Sequence, residues 1–185
     1  SGFAKLAESN VALFNGHGVK KIITTSPHCF HTFAKEYPEL GGSYEVVHSS
    51  QFLARLVAEG RLVMNGGLGK TVAYHDPCYL GRHSGVFQEP RQVLAAAGAT
   101  VVEMPREENF SLCCGGGGGR VWMETPVEKR FSVLRVHEAV DAGAEVLATA
   151  CPYCITLLED SNKTEGLDDR LEVADLAELL ARSVA

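Results

Sequence analysis

The stretch Val146-Leu-Ala-Thr-Ala-Cys-Pro-Tyr-Cys-Ile155 combines a short apolar run with a closely spaced pair of cysteines. The run predicts a strand and the residues after Cys154 predict a helix, so the pair lies on a strand-to-helix turn. Two intervening residues let both sulfurs face one ion, and the N-terminus of a helix favours thiolates. The pair indicates a two-thiolate metal clamp, with a thioredoxin-like redox pair as the alternative.

A related stretch lies near the start of the chain, at Ile22-Ile-Thr-Thr-Ser-Pro-His-Cys-Phe30. A shift of 125 residues superimposes the proline and the last cysteine of the two stretches and puts Ser26 at the position of Cys151. The segment 44–55 likewise matches 171–182 after a shift of 127 residues. Two linked blocks indicate a duplicated unit of strand, turn, helix, strand and helix.

The two copies differ in what precedes them. The second copy has Cys78 and Cys113-Cys114 upstream, whereas the first has only the segment 1–21. We therefore expect the C-terminal part of one repeat in residues 1–66 and a complete repeat in 67–185, divided at a glycine-rich loop. Because the first copy lacks the upstream half, we also expect the parent protein to extend further toward its N-terminus, and loss of that half from the first copy is the alternative.

The composition is that of a globular protein and argues against several functions. Of the 185 residues, 45% are hydrophobic and 22% charged, and the net charge of −6 does not suit a nucleic-acid partner. The longest mostly apolar stretch, 146–158, is too short to span a bilayer, and the N-terminus lacks a signal-peptide pattern. Six cysteines without such a signal favour the reducing cytoplasm, where spaced cysteines more often serve metal or redox chemistry.

Strand and helix patterns alternate along the chain, which predicts an α/β fold with a mostly parallel sheet flanked by helices. In such a sheet the carboxyl ends of the strands share one edge, where ligands usually bind. Strands at 71–75, 100–104 and 145–149 lead toward Cys78, Cys113-Cys114 and Cys151, so these segments are expected to converge. The other predicted elements are helices at 2–15, 30–37, 50–59, 90–97, 125–142, after 154 and at 175–183, and strands at 21–25, 44–48 and 171–174.

Five of the six cysteines form the spacing C-x34-C-C-x36-C-x-x-C. Thiolates select iron–sulfur clusters, zinc or Cu(I) over hard cations. Adjacent side chains diverge on a regular strand, so Cys113 and Cys114 need an irregular loop to face one ion. Gly115, Gly116 and the glycines up to Gly119 let the backbone approach a bulky cluster and offer N–H groups to its sulfides. A phosphate-binding loop is the alternative, but the Lys-Ser/Thr of a P-loop is absent.

Polar residues around Cys78 are expected to support this site. His75 is predicted to pack or hydrogen-bond beside the ligands rather than to join them. Asp76 is predicted to cap the turn or to accept a hydrogen bond. Arg82 and His83 are candidate contacts for an anionic substrate, and an ordinary surface loop is the alternative.

Cys29, in the degenerate copy, is interpreted as a small hydrophobe or as a ligand of an incomplete set. A zinc site formed with His28, His31 and His48 is a weaker hypothesis. Three large apolar side chains are expected to pack the core beside the cysteines: Met104, Trp122 and Met123.

Several motifs together resemble the cysteine-rich CCG domain. They are His-Asp-Pro-Cys-Tyr-Leu-Gly-Arg-His at 75–83, Glu-Met-Pro-Arg at 103–106, Cys-Cys-Gly-Gly-Gly-Gly-Gly-Arg-Val-Trp-Met at 113–123 and Pro-His-Cys-Phe-His-Thr-Phe at 27–33. That domain occurs in the catalytic subunit of heterodisulfide reductase and in related Fe–S oxidoreductases, such as the iron–sulfur subunits of glycolate oxidase and glycerol-3-phosphate dehydrogenase. Its members carry two repeats in tandem, in agreement with the duplication.

The resemblance implies a [4Fe–4S] centre, non-cubane in some members, held by Cys78, Cys113, Cys114, Cys151 and Cys154. It implies electron transfer or reductive disulfide chemistry in a cytoplasmic fragment or subunit of a larger enzyme. The implied partner is a ferredoxin-like, flavoprotein or quinone-linked subunit, through which the protein associates with a membrane. Ser26 and the missing front half of the first repeat depart from the pattern, so at most one complete cluster site is expected.

Two other functions are compatible with the cysteines. Some CCG repeats are implied to hold zinc, and four of the five thiolates would suffice for a closed tetrahedral site without redox activity. A thiol-disulfide enzyme would instead use Cys151 and Cys154 alone.

Overall fold

Parallel strands organise the part of the chain that the structure, a computed structural model, describes, which is residues 2–65 and 67–185. One sheet pairs β1 (Lys21–Thr24) with β2 (Glu45–His48). The other has the order β4-β3-β5-β6, formed by Thr100–Val102, Thr71–His75, Val146–Thr149 and Glu172–Asp175. The helices are α1 Gly2–Gly16, α2 Pro27–His31, α3 Ser49–Ala58, α4 Gln88–Ala96, α5 Phe131–Asp141, α6 Pro152–Thr164 and α7 Leu176–Ala181. The predicted α/β fold is confirmed.

The two copies of the repeat agree in their strands. The bounds of β1 and β5 differ by 125 residues, those of β2 and β6 differ by 127, and both pairs are parallel in the same register. In each copy the residue that ends the second strand caps the following helix. His48 accepts a hydrogen bond from the N–H of Ser50, and Asp175 accepts one from the N–H of Ala177. A partial and a complete copy are therefore visible in the backbone itself.

The segments on either side of residue 66 share a core. The apolar face of α3 packs against α4 and α7, which cover one face of the larger sheet. The predicted division into residues 1–66 and 67–185 stays a prediction, since Gly66, like Ser1, lies outside the described residues.

Two predicted helices differ from the observed ones. The helix expected at 30–37 starts earlier, at Pro27, and becomes a π-helical turn at Thr32–Glu36 before a 3-10 turn. Pro38 explains the change, because it has no N–H and its ring clashes with the preceding turn. The helix expected at 125–142 starts only at Phe131, after an extended Arg130 at φ −79° and ψ 126°. No helix of the described residues is both long and apolar enough to cross a bilayer.

The larger sheet is covered on both faces. Side chains of β3 and β5 alternate between two apolar clusters, with Tyr74 on the α4 and α7 side and Leu147 on the α5 and α6 side. Val72 and Leu147 have no exposed surface, so each contributes roughly 1.5–3 kcal/mol of hydrophobic stabilisation. This double coverage leaves the carboxyl edge of the sheet as the place where polar side chains gather.

Candidate metal centre

Three loops bring the predicted cysteines to the carboxyl edge of the sheet. β3 ends at His75, three residues before Cys78, and β5 ends two residues before Cys151, the N-cap of α6. The vicinal pair arrives on an irregular loop that follows β4. All five thiols are free, and Cys114, Cys151 and Cys154 are buried. The convergence expected from the parallel sheet is therefore present.

The sulfur atoms interact with one another in a row, the thiol row. Cys78 and Cys114 each interact with Cys113, and Cys154 interacts with Cys114 and with Cys151. A ring nitrogen of His75 lies with the sulfurs of Cys114 and Cys154, all within 4.8 Å of one another. The five thiols thus lie close to one another, with the imidazole of His75 next to Cys114 and Cys154.

The protons of this row are shared unequally. Hydrogen bonds from Cys114 and Cys78 lower the pKa of Cys113 to about 2, and the bond from Cys154 lowers that of Cys151. The pKa values of Cys78, Cys114 and Cys154 change in the opposite direction. The bonds to Cys113 raise the pKa of Cys78 strongly and that of Cys114 to about 11, and the bonds to Cys114 and Cys151 raise that of Cys154. So many adjacent thiolates can coexist only if cations replace the protons.

Backbone N–H groups stabilise the negative sulfurs. The N–H of Gly115 donates to Cys113 Sγ at 3.3 Å, and the N–H of Gly116 favours the thiolate of Cys114. In the first turn of α6, the N–H groups of Cys154 and Tyr153 favour the thiolate of Cys151 and add to the effect of the Cys154 thiol, which lowers the pKa of Cys151 most. Gly115 has a φ of +88°, a conformation that favours glycine. The predicted role of the glycines as backbone donors thus has a structural basis next to the vicinal pair.

His75 is held in a defined tautomer by a buried arginine. Arg135 Nε donates to His75 Nδ1 at 3.2 Å, and the Arg135 side chain, fully buried, also forms an ion pair with Glu138 at 2.8 Å. Burial, and then the charge of Arg135, lowers the pKa of His75 to about 3, so the ring is neutral. Because Nδ1 accepts, the ring proton resides on Nε2. Arg135 was not among the predicted site residues, although its position between Ser132 and Ala139 matches the buried face of α5.

Asp76 links the Cys78 loop to the loop that carries the vicinal pair. Its carboxylate, 2% exposed, accepts two bonds from Arg91, at 2.8 and 3.1 Å, and one from the N–H of Glu108 at 2.9 Å. The same guanidinium binds both oxygens of Glu103, and the hydroxyl of Ser111 donates to the carbonyl of Asp76. The predicted acceptor role of Asp76 is therefore observed, and it fixes the approach to Cys113.

Arg82 and His83 have neighbours within the chain. Arg82 Nη1 donates to the carbonyl of Ser111 at 2.6 Å and is 3.5 Å from that of Asn109, so it too holds the cysteine loop. The ring of His83 stacks on Tyr79 at 4.5 Å. Substrate contact by either residue stays a prediction.

The first copy supplies one wall of the site through His28. Its ring lies 4.3 Å from Tyr79 and 5.4 Å from Tyr153, and His31 contacts the other edge of Tyr79. Cys29 is exposed, and within residues 2–65 and 67–185 it joins no group of three metal-ligating side chains. Whether Cys29 has a ligand role stays open to test, as does the zinc hypothesis for its histidines.

A cavity of about 270 Å³ lies between His28 and the thiol row. The sequence did not predict this arrangement, because it joins segments about thirty residues or more apart. The 125-residue shift between the two copies could have indicated it, because this shift aligns His28 with Tyr153, and both residues line the cavity. The cavity is lined by Pro27, His28, Pro77, Cys78, Tyr79, Cys114, Gly116, Gly117, Gly118, Gly119, Val121, Trp122, Cys151, Tyr153 and Cys154.

The expectation for the large apolar side chains is wrong in two of three cases. Met104 is buried at 2% exposure, as predicted, but Trp122 is 86% and Met123 65% exposed. Left-handed backbone at Gly118 and Gly119 carries this part of the loop away from the sheet. Trp122 therefore lies at the mouth of the cavity and not in the core.

The model of the cysteine-rich domain CCG matches residues 2–34 and 72–159, which include all the cysteines described above. The chain belongs to the CCG family. It is 40% identical to the EtfAB:quinone oxidoreductase of Syntrophomonas wolfei and 42% identical to the probable iron-sulfur-binding oxidoreductase FadF of Bacillus subtilis, over 98% of this chain and 26% of each relative.

A third relative is one of the subunits of the dihydromethanophenazine:CoB–CoM heterodisulfide reductase of Methanosarcina acetivorans. This match is 38% identical over 97% of this chain and 44% of the relative. The chain thus spans between a quarter and a half of the length of these curated relatives. The resemblance noted in the sequence is confirmed at the level of the family.

Proposed function

We propose that this chain is the cluster-bearing part of an iron–sulfur oxidoreductase of the heterodisulfide reductase type. The observation that carries the proposal is the continuous row of five free thiols at the carboxyl edge of the sheet. The ligands would be Cys78, Cys113, Cys114, Cys151 and Cys154.

The chemistry of the donor set fits a [4Fe–4S] centre. Five soft donors exceed the four that a closed zinc site uses. Metal ligation deprotonates thiols, so iron would replace the protons that the raised pKa values place on Cys78, Cys114 and Cys154. The N–H groups directed at Cys113, Cys114 and Cys151 are donors of the kind that tune the potential of a bound cluster.

When bound, such a centre supplies one-electron transfer. The residues of the chain set the conditions for it. His75 presents a neutral imidazole whose orientation Arg135 fixes, and the largely apolar cavity next to Cys78 and Cys151 admits a small oxidant while limiting water. The reaction we propose first is reduction of a disulfide at this cavity. The second is transfer of electrons to a partner without substrate chemistry at the cluster.

The partners follow from the names of the relatives. These include a quinone oxidoreductase, a component of heterodisulfide reductase and a probable membrane-anchored ferredoxin, all longer than this chain. We propose that the parent protein exchanges electrons with a ferredoxin-like, flavoprotein or quinone-linked partner. We place it in the cytoplasm, with access to a membrane through that partner.

Anaerobic reconstitution of the chain with iron and sulfide tests the proposal. We expect about four iron and four labile sulfide per chain, broad visible absorption that bleaches on reduction, and a paramagnetic signal in one redox state. A parallel reconstitution with zinc alone supplies the matched control. A colourless product without labile sulfide that retains one tightly bound zinc would reject the iron–sulfur proposal in favour of the structural zinc site.

A thiol-disulfide mechanism makes a different prediction for the same samples. If Cys151 and Cys154 acted alone, metal-free protein would reduce disulfides as fast as the iron-loaded form, and a single alkylated cysteine would end the activity. The cluster proposal requires the opposite order, with activity in the loaded protein only.

A further inference from the structure

A second cavity, of about 140 Å³, adjoins the one described above, and the loop 115–122 contributes to both. It reaches Cys114 and Gly115, and Cys114 and Val121 line both cavities. Its volume accommodates several water molecules, or one phosphate or carboxylate group in their place. A ligand in this cavity would therefore lie next to the proposed cluster without occupying the apolar cavity.

The lining is cationic, unlike the protein as a whole. Arg120, Lys129 and Arg130 all contribute to it, in a chain whose formal net charge is −6. Arg120 and Arg130 are held by Thr125, at 3.5 Å from its hydroxyl and 3.0 Å from its carbonyl respectively. Three cations around one small concave site, two of them held by the same residue, are suited to an anionic group.

The cationic charge of the site is only partly neutralised. Asp160 lies in the lining and accepts from Arg130 Nη1 at 3.0 Å. Among the ion pairs of residues 2–65 and 67–185, none includes Arg120 or Lys129. The cavity therefore keeps two cations without a carboxylate partner beside a third that has one.

We propose that this cavity binds the anionic group, a phosphate or carboxylate, of a small-molecule substrate whose reducible part reaches the cluster. This inference rests on the proposed function in that it assumes a cluster at the five cysteines, but it does not assume that the reaction is reduction of a disulfide. This contact is separate from the substrate contact predicted for Arg82 and His83. The substrate class is thus an acidic oxidant rather than a neutral one.

Equilibrium dialysis of the cluster-loaded chain against radiolabelled phosphate and, separately, malonate tests the proposal at low ionic strength. We expect one saturable site, and the tighter of the two probes identifies the preferred group. Lys129→Gln and Arg120→Gln should each weaken binding by roughly fivefold, the size of a partly screened charge contact. Asp160→Asn should tighten binding, because it frees Arg130, and a purely structural role for these residues would not produce a gain.

Lys163→Gln is the matched control, since Lys163 is an exposed cation near the end of α6 and outside the cavity lining. The absence of a saturable site, or equal weakening by Lys163→Gln and Lys129→Gln, would overturn the proposal. Iron content, measured on the same samples, separates the two hypotheses. Loaded protein that binds no anion rejects the subsite alone, and protein that binds anion but no iron rejects the cluster alone.

Discussion

The two copies of the repeat share their strands but differ at the turn after the first strand. In the second copy that turn carries Cys151 and Cys154, buried and bonded to the other thiols. In the first copy Ser26 and Cys29 occupy the equivalent positions, and Ser26 Oγ accepts a bond from the N–H of Cys29 at 3.4 Å as an ordinary helix cap. The fold of the unit therefore does not depend on metal ligands at this turn.

The difference extends to the helix that follows. α6 runs for 13 residues over the sheet, whereas α2 has five and passes into π-helical and 3-10 turns. The shortened copy directs His28 toward the thiols of its neighbour. The first copy has thus changed from a potential ligand-bearing unit to a wall of the site that the second copy holds.

The largest effect is expected when the equivalent cysteines of the two copies are replaced. Cys154→Ser should abolish cluster assembly, because Cys154 is buried at 3% exposure and interacts with both Cys114 and Cys151. Cys29→Ser should leave the iron and sulfide content unchanged, because Cys29 is exposed and outside the thiol row. Iron and sulfide analysis after identical reconstitution provides the measurement.

Two results would break the comparison between these positions. Equal iron loss in Cys29→Ser and Cys154→Ser would make the first copy a ligand donor. Full iron content in Cys154→Ser would show that the other four cysteines hold the centre without Cys154, since four is the usual number of cysteine ligands of a [4Fe–4S] cluster. Circular dichroism of both variants checks that the comparison is made between folded proteins.

The sequence predicted the meeting of the cysteines because that meeting depends on the topology of a parallel sheet. Apolar runs define β3 and β5, and their carboxyl ends must lie side by side, so Cys78 and Cys151 had to converge. The exposure of Trp122 was not predictable in this way, since an apolar side chain is not necessarily buried. Its position depends on left-handed backbone at two glycines, which the identity of Trp122 does not encode.

The next prediction concerns the stability of the segment 71–114, which precedes the repeated unit in the second copy and has no counterpart in the first. Asp76→Asn should lower the free energy of unfolding by about 3 kcal/mol, because it leaves a largely buried Arg91 with one carboxylate instead of two. Chemical denaturation of the metal-free chain gives this value. Glu172→Gln, which breaks an exposed pair with Arg182 at 2.7 Å, is the control and should cost less than about 1 kcal/mol.

The Asp76 variant also tests how the cysteine loop is positioned. The N–H of Glu108 donates to Asp76 Oδ2 at 2.9 Å, so loss of the charge should loosen the loop that leads to Cys113. We expect slower cluster assembly in Asp76→Asn but not in Glu172→Gln. Equal costs for the two variants would mean that the buried pair does not secure the front half.

Arg135 and the cationic cavity were less predictable than the meeting of the cysteines but more predictable than the exposure of Trp122. Arg135 occupies a position that the helical period places on the buried face, but its partner His75 is sixty residues away. Arg120 and Lys129 are ordinary surface cations in the sequence, and only the folded loop brings them to one cavity. Contacts between side chains that are far apart in the sequence depend on the path of irregular loops. Such loops have no hydrophobic periodicity from which their path could be predicted.

An effect that develops only at acidic pH compares the residues that cap the second helix of each copy, His48 and Asp175. Burial lowers the pKa of His48 from 6.5 to about 4. The unfolded chain therefore binds more protons between these values, and the free energy of unfolding should fall as the pH falls from about 6.5 to about 4, on the order of 3 kcal/mol in all. His48→Asn keeps a good capping side chain but removes the titration, so its stability should depend less on pH in that window.

Denaturant titrations of both proteins at several pH values between 7.5 and 4 measure the difference in slope. At pH 7.5 the difference in the free energy of unfolding between the two proteins gives the contribution of contacts that asparagine cannot make. These include the hydrogen bond from His48 Nε2 to the carbonyl of Thr25 at 3.2 Å. Burial raises the pKa of Asp175, so its contribution has the opposite sense, present at low pH and lost as the pH rises through that pKa. Parallel pH profiles for the wild-type chain and His48→Asn would show that the cap of the first copy is not the source of its acid sensitivity.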